Sequence, residues 1–361
     1  MNIGVIGVGT ISAQYFAEFP KLPGLCILAV ADLDGSRAAR VAAQYEVEAL
    51  SVDALLADPR IDAVLNLTVP AVHVELATRA LLAGKHVYGE KPLGLNPGAA
   101  GEMLELARTR GLRVGSAPDT VLGTGVQTAR ALLESGAVGE PVAASVHWSS
   151  PGHELWHPAP QFYYQNGGGP LFDMAPYYLT TLVTLLGPVV RVSGVATRSG
   201  RQRVIAKGSQ AGTTFPVDVD THVSAILEHA NGLTSTLTVS FEVWASRVPL
   251  FELYGTAGTI AVPDPNRFSD PVEVWTVDRP EWTGVPVSAG YAGAGRGFGL
   301  ADMAHAIETG RPHRASGDLA FHVLEIMDAV LRAGAEKRVV ELVSTVEQPE
   351  PVPFGATPDN W

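Results

Sequence analysis

The stretch Ile3-Gly4-Val5-Ile6-Gly7-Val8-Gly9-Thr10-Ile11-Ser12 is a short apolar run, then two closely spaced glycines, then the start of a helical pattern. A strand that turns sharply through glycine into a helix is the opening of a βαβ unit. The pattern repeats outward from it. Cys26–Ala31, Ala63–Leu67, His86–Tyr88 and Arg113–Gly115 read as further strands. Ala38–Tyr45, His73–Ala83 and Ala99–Arg110 lie between them with apolar residues at three- and four-residue spacing. Strands and helices joined this closely imply a doubly wound parallel sheet over residues 1–118. The strand at Cys26 is expected to be buried. After one more helix near Val126–Ser135 the texture changes. Asp220–Glu228, Leu233–Val243, Leu250–Tyr254 and Thr259–Val262 follow one another with turns, and Asn231-Gly232 is a two-residue hairpin signal. Residues 119–346 are therefore expected to be an α+β domain on an open, mostly antiparallel sheet, with helices at Leu300–Thr309 and Asp318–Ala333. A proline-rich arm is expected over 347–361. The fold class is α/β.

In the opening turn Gly7 permits the tight bend and Gly9 lets a pyrophosphate approach the backbone through Gly9, Thr10 and Ile11. Ser12 stands where a third small residue is needed. The second strand ends in Asp32, twenty-three residues after Gly9. A carboxylate there accepts hydrogen bonds from an adenosine ribose and repels a 2′-phosphate, so NAD is expected in preference to NADP. No arginine or lysine adjoins Asp32 to receive such a phosphate. The plainer alternative for Asp32 is a helix N-cap.

Glu90-Lys91-Pro92 follows the strand at His86, at what should be its carboxyl end, where open α/β sheets bind ligands. An ammonium there polarises a carbonyl or carbinol oxygen. Further on comes Gly167-Gly168-Gly169-Pro170-Leu171-Phe172-Asp173-Met174-Ala175-Pro176-Tyr177, which runs into a helix ending at Gly187-Pro188. Proline is tolerated in a helix's first turn, which puts the N-cap near Asp173 and Tyr177 one turn away on the same face. The glycine run is expected to let a ligand approach the backbone.

These motifs together resemble the Gfo/Idh/MocA oxidoreductases, relatives of glucose–fructose oxidoreductase and inositol dehydrogenase, over nearly the whole chain. The resemblance implies a Rossmann domain joined to an open-faced sheet, with homodimers or homotetramers formed through that sheet. It also implies that Lys91 contacts substrate and nicotinamide, and that Asp173 and position 177 complete the catalytic set. Most members carry histidine at the last position. Tyr177 resembles a branch that includes dihydrodiol dehydrogenase and glucose–fructose oxidoreductase. A nearby ammonium favours phenolate, so Tyr177 is expected to donate or accept the hydroxyl proton while Asp173 holds polar groups. The segment Thr68-Val69-Pro70-Ala71-Val72-His73 resembles the family's cofactor-side loop, with Ala71 in place of the usual asparagine. Thr68, Pro70, His73, Glu90 and Lys91 are accordingly expected on the cofactor side.

His153, Trp156 and His157 precede the glycine run and are expected to face a carbohydrate or polyol, because aromatic faces pack on sugar rings and imidazoles bond hydroxyls. Asp119 and Arg296 are further candidate substrate contacts. His153 and His157 have i, i+4 spacing, but Pro151-Gly152 and Pro158 interrupt a helix there and hydride transfer needs no metal, so no metal site is expected.

Composition narrows the remaining classes. The 361 residues are 46% hydrophobic and 17% charged, with 37 acids against 25 bases for a net charge of −12. There is no basic run to neutralise a phosphate backbone, so nucleic-acid partners are not expected. The longest apolar stretch, Leu179–Val190, is too short to cross a bilayer. A single cysteine and the absence of a signal-like leader fit a cytoplasmic protein. The expected activity is an NAD-dependent dehydrogenase or reductase acting on a sugar, polyol or cyclic alcohol. The competing classes are NAD-assisted glycoside hydrolysis and a non-catalytic NAD-binding regulator.

Overall fold

The computed structural model describes residues 1–357; the last four residues of the expected C-terminal arm lie outside the described residues. Two compact units divide the chain. Met1–Gln127, Ala289–Leu324 and residues 349–357 form one, and Thr128–Ser288 with Glu325–Gln348 forms the other.

The first unit is built on β1 (Asn2–Ile6), β2 (Cys26–Ala31), β3 (Glu48–Ala49), β4 (Ala63–Asn66), β5 (His86–Gly89) and β6 (Val114–Ser116). They pair in the order β3-β2-β1-β4-β5-β6, all parallel. Order reverses at β1, and that switch point puts a crevice outside the carboxyl ends of β1 and β4. The connecting helices are α1 (Ser12–Glu18), α2 (Gly35–Tyr45), α3 (Val52–Ala57), α4 (His73–Leu82) and α5 (Pro97–Thr109). Ile3, Val5, Val30, Val64 and Leu65 are buried in the sheet's core, as expected of strands covered on both faces. Cys26 differs from expectation. It is exposed, because it is the first residue of β2 and lies outside the covered span.

α6 (Thr124–Glu134) leads on to the second unit. There the strands are β7 (Pro141–Ser149), β8 (Val189–Thr197), β9 (Arg203–Val204), β10 (Thr214–Phe215), β11 (His222–His229), β12 (Thr234–Ser240), β13 (Phe251–Gly255), β14 (Gly258–Ala261), β15 (Val272–Thr276), β16 (Thr283–Val285) and β17 (Val340–Glu341). Nine of them form one sheet in the order β16-β15-β14-β13-β7-β12-β11-β8-β17. Only β7 and β12 run parallel; the other neighbours are antiparallel. Leu237, Val239 and Phe241 are buried on one face, while Thr236 on the other is exposed. On that open face Val195 and Ile226 are each more than half exposed.

α7 (Gly169–Asp173) and α8 (Ala175–Leu186) are two short helices broken at Met174. Asp173 therefore ends a helix; it does not cap one, and Pro176 sits in the first turn of the next. α9 (Phe298–Thr309) and the first part of α10 (Gly317–Glu336) belong to the first unit, although their place in the sequence suggested the second. A bridge between Gly115 and Ser316 ties this return to β6. The final segment also packs on the first unit: Val352 is buried and its N–H donates to Gln127 Oε1 at 2.9 Å.

Candidate active site

In the first unit the glycine turn lies at the switch point. Gly7 has φ +90°, and a Cβ there would meet the Leu67 backbone carbon at 2.8 Å. Only glycine fits such a position. Its N–H donates to Ala31 O at 2.8 Å, closing the turn on β2. Gly9 differs, since a Cβ there would meet nothing within 4 Å. No neighbouring atom of the protein requires that glycine, so the open space above it fits the close approach of a ligand. Ser12 is buried and its hydroxyl donates to Gly9 O at 2.7 Å, which lets serine serve where a third glycine is usual. Helix α1 begins without a side-chain cap.

Asp32 stands directly behind the turn. Val8 N donates to its Oδ2 at 2.9 Å, and Asp34 N donates to Oδ1 at 2.9 Å. The cap of α2 is Asp34, which accepts from Ser36 N and Arg37 N. That leaves the N-cap alternative for Asp32 without a helix to cap. One expectation about this acid needs correction. Arg37, five residues further along in the first turn of α2, brings Nη1 to 3.5 Å from Asp32 Oδ2.

The segment Thr68–His73 is tied together by its own polar groups. Thr68 Oγ1 donates to Asn66 Oδ1 at 2.6 Å, and Pro70 opens a short 3₁₀ turn. His73 is buried, with its two ring nitrogens 2.7 Å from Pro92 O and 2.9 Å from Thr68 O. Burial, outweighing those carbonyls, holds its pKa below the usual value. Its position is that of a pin between the Thr68 loop and the Lys91-Pro92 segment.

Lys91 follows β5, as its sequence position required. The adjacent Glu90 is buried; its Oε1 accepts from Tyr15 OH at 2.8 Å and its Oε2 from Lys91 N at 3.1 Å. Burial first, then the negative charges of Glu90 and Asp119, raise Tyr15 well above the ordinary phenol pKa. Tyr15 was not singled out by sequence, because an aromatic on an amphipathic helix reads as core packing. Asp119 is wholly buried, and its Oδ2 accepts from Gly297 N at 2.9 Å and Gly299 N at 3.1 Å. Arg296, also buried, reaches to 3.8 Å from Asp119 Oδ1. These two candidate substrate contacts thus lie in a clamp that holds the entry to α9. Burial raises the pKa of Asp119, and Arg296 with the two backbone donors opposes that shift.

In the second unit His153, Trp156 and His157 come from a loop that begins with the 3₁₀ turn His153–Leu155. His153 Nε2 is 2.8 Å from Asp173 Oδ2, and Trp156 Nε1 donates to His153 Nδ1 at 3.3 Å. The His153 ring also lies 4.4 Å from the Tyr163 ring and 4.5 Å from that of Phe241. Trp156, against the His153 ring, and Phe162, against those of His157 and Tyr163, are exposed. His157 accepts from Ala159 N at Nδ1, and desolvation lowers its pKa. Tyr177 is buried in the first turn of α8.

The loop is anchored by charges that no spacing in the chain connects. Glu154 and Arg203 are both buried, with Arg203 Nη1 donating to Glu154 Oε1 at 2.8 Å and Nη2 to Glu242 Oε1 at 2.5 Å. Arg201 Nη2 adds a second donor to Glu154 at 2.9 Å. Tyr164 OH donates to Glu154 and accepts from His153 N at 3.0 Å. The glycine run also has a structural cause. A Cβ on Gly168 would meet Tyr163 O at 2.5 Å, and one on Gly169, with φ +76°, would meet Asp220 O at 2.9 Å. Those glycines fit the protein's own backbone and do not open it to a ligand. Among the described residues, no three His, Cys, Asp or Glu side chains gather to hold a metal ion. No described helix is long and apolar enough to cross a membrane.

Comparison with known proteins agrees across both units. Residues 1–117 match the model of an oxidoreductase family with an NAD-binding Rossmann fold, and residues 126–261 match that of the GFO/IDH/MocA C-terminal domain. A dTDP-3,4-didehydro-2,6-dideoxy-α-D-glucose 3-reductase from Streptomyces antibioticus is 30% identical over 313 residues, covering 83% of this chain and 88% of that one. A trans-1,2-dihydrobenzene-1,2-diol dehydrogenase from Bos taurus is 27% identical, covering 73% and 74%. Among solved structures, a levoglucosan dehydrogenase in complex with NADH and L-sorbose superposes with a TM-score of 0.81 at 23% identity, over 95% of this chain and 99% of that one; this likeness is one of fold. The glycine turn at the switch point, the acid behind it, and a 30%-identical relative matched over most of both chains lead to one conclusion: this chain belongs to the GFO/IDH/MocA family of oxidoreductases, enzymes that act on CH–OH groups.

Proposed function

We propose that the protein is an NAD-preferring dehydrogenase or reductase that moves a hydride between nicotinamide and a hydroxyl or carbonyl carbon of a sugar, polyol or related cyclic alcohol. The observation that carries this reading is the opening turn. Gly9 answers to no neighbour in the protein, and Asp32 is fixed behind it by two backbone N–H groups. The turn Gly7–Ile11 would hold the pyrophosphate, and Asp32 the adenosine ribose. Bound NAD supplies a hydride acceptor or donor at nicotinamide C4.

The chain's own residues do the remaining work. Lys91, its backbone held by Glu90, hydrogen-bonds the reacting oxygen and stabilises negative charge that develops there. Tyr177 donates or accepts the hydroxyl proton, and Asp173 orients the substrate's polar groups. Trp156 and Phe162 offer exposed aromatic faces to a ring. The relatives named for sugars and diols support this substrate class. The half-exposed Val195 and Ile226 on the open sheet face support association of two or four copies through that face. Light scattering on the purified protein tests this, and a monomer at micromolar concentration refutes it.

The functional test is titration of NAD and NADP, followed by a panel of sugars, polyols, cyclic diols and nucleotide-linked sugars read by NADH absorbance. Turnover on one class that Lys91→Ala abolishes is the expected result. Tight NAD binding without net absorbance change on any substrate moves the assignment to redox-cycling hydrolysis or to a regulator.

A further inference from the structure

The contacts of His153 give it a task other than touching substrate. An indole nitrogen carries a hydrogen and has no lone pair with which to accept. At 3.3 Å from His153 Nδ1, Trp156 Nε1 is therefore the donor and Nδ1 the acceptor. A neutral imidazole has one nitrogen of each kind. The ring hydrogen is then on Nε2, and Nε2 faces Asp173 Oδ2 at 2.8 Å. Both ring nitrogens are engaged within the protein, and the residue is only 6% exposed. Its backbone is held as well, through His153 N to Tyr164 OH and on to Glu154 and Arg203.

We propose that His153 is a positioning residue: Trp156 fixes its Nε2–H tautomer, and that tautomer fixes the carboxylate of Asp173 for the reaction. A buried imidazole free to turn over or to change tautomer would present a lone pair to Asp173 in half its arrangements, which repels a carboxylate. The indole removes those arrangements. Trp156 is itself 52% exposed and remains available to a substrate face, so one residue couples the aromatic wall to the acid. The inference rests on the reading of Asp173 as a residue that handles substrate.

The test combines a spectroscopic and a kinetic arm. Long-range 1H–15N spectra of histidine-labelled protein should show one ring in the Nε2–H tautomer whose signals vanish in His153→Gln, and in Trp156→Phe that ring should become a mixture. In steady-state assays His153→Ala should lower kcat about tenfold to a hundredfold, the range expected for losing a hydrogen bond to a charged group. NAD affinity should be unchanged. His153→Gln keeps an N–H donor for Asp173 and should restore most of kcat, while Trp156→Phe should fall between. A rise in KM with kcat intact in His153→Ala would mark a plain substrate contact and overturn the proposal, as would an Nδ1–H tautomer in the native protein. Should His153→Ala fail to fold, the spectra and the two conservative variants still decide. Asp173→Ala separates the two readings. If it leaves kcat unchanged, the role given to Asp173 fails while the tautomer result stands or falls by itself.

Discussion

Replacing Tyr15 by phenylalanine removes one hydroxyl and little else, since the ring is wholly buried and its packing is retained. The lost contact is the 2.8 Å hydrogen bond to Glu90 Oε1. Hydrogen bonds to charged groups contribute about 1.5–3 kcal/mol, and a buried carboxylate deprived of a donor sits at the upper part of that range. For a domain of 150–250 residues, where 1 kcal/mol moves Tm by about 2–4 °C, the variant should melt about 3–12 °C lower in the transition that reports the first unit. Because the Tyr15 pKa is raised well above the ordinary phenol value, the hydroxyl stays a donor through alkaline buffers, and the deficit should not shrink towards pH 9. The decisive measurement is a double-mutant cycle with Glu90→Gln, followed by calorimetry and by kcat. A neutral amide accepts less strongly than a carboxylate, so Tyr15→Phe should cost about 1 kcal/mol less in the Glu90→Gln background. Glu90 also accepts from Lys91 N, so kcat should fall with stability in the native background and change little in the other. Equal costs in both backgrounds, or a loss under about 0.5 kcal/mol in the native one, would refute the idea that Tyr15 acts through Glu90.

Other outcomes can be stated briefly. Asp32→Ala should weaken NAD and shift preference towards NADP by about tenfold or more, since repulsion of a 2′-phosphate is removed while Arg37 stays; initial rates with both cofactors check it. Arg203→Ala leaves Glu154 buried without its main partner and should cost about 3–5 kcal/mol in urea unfolding of the second unit. The buried rings of His73, His229 and His313 have pKa values lowered by desolvation, so they stay neutral in the fold while the unfolded chain protonates near 6.5. The unfolded state thus binds more protons below that pH. Stability should be level above about pH 7 and fall as pH drops from about 6.5 towards 5, by up to about 1.4 kcal/mol per unit for each ring; urea midpoints across pH 5–8 test the slope.

Much of the first unit was legible because its signals are local. A strand, a glycine turn and a helix carry a pattern in consecutive residues, and five of the six strands between Ile3 and Ser116 were readable within a residue or two; the two-residue edge strand β3 (Glu48–Ala49) is too short to carry such a pattern. In the second unit β7 escaped notice, although it lies between β12 and β13 in the middle of the sheet. Its inward positions include Ala144 and Val146, and its outward ones Ser145 and His147, so it lacks the β-branched density of an obvious strand. The site divided along the same line. Lys91, Asp32 and Asp173 stand in recognisable spacings. The contacts around Glu90 and Asp119 come from far along the chain: Tyr15 reaches Glu90 across 75 residues, and Gly297 reaches Asp119 across 178. Spacing on an element cannot show pairings set by tertiary packing.

The glycines make the same distinction sharper, and they yield a test. Composition treats Gly7, Gly9, Gly168 and Gly169 alike, yet a side chain at three of them would strike the protein's own backbone and at Gly9 would meet nothing. Gly7→Ala should therefore fail as a fold, since backbone strain at positive φ alone costs about 1–3 kcal/mol before the clash with Leu67 is added. Gly9→Ala should fold with an unchanged or slightly raised Tm, because alanine restricts the unfolded chain. Its loss should appear only in dinucleotide affinity, where a methyl group occupies the approach of the pyrophosphate. Calorimetry with and without NAD reads both quantities in one series. If Gly9→Ala binds NAD as the native protein does, the phosphate is not held over this turn and the cofactor assignment loses its main support; if it unfolds instead, the open space above Gly9 has a structural use that packing does not reveal.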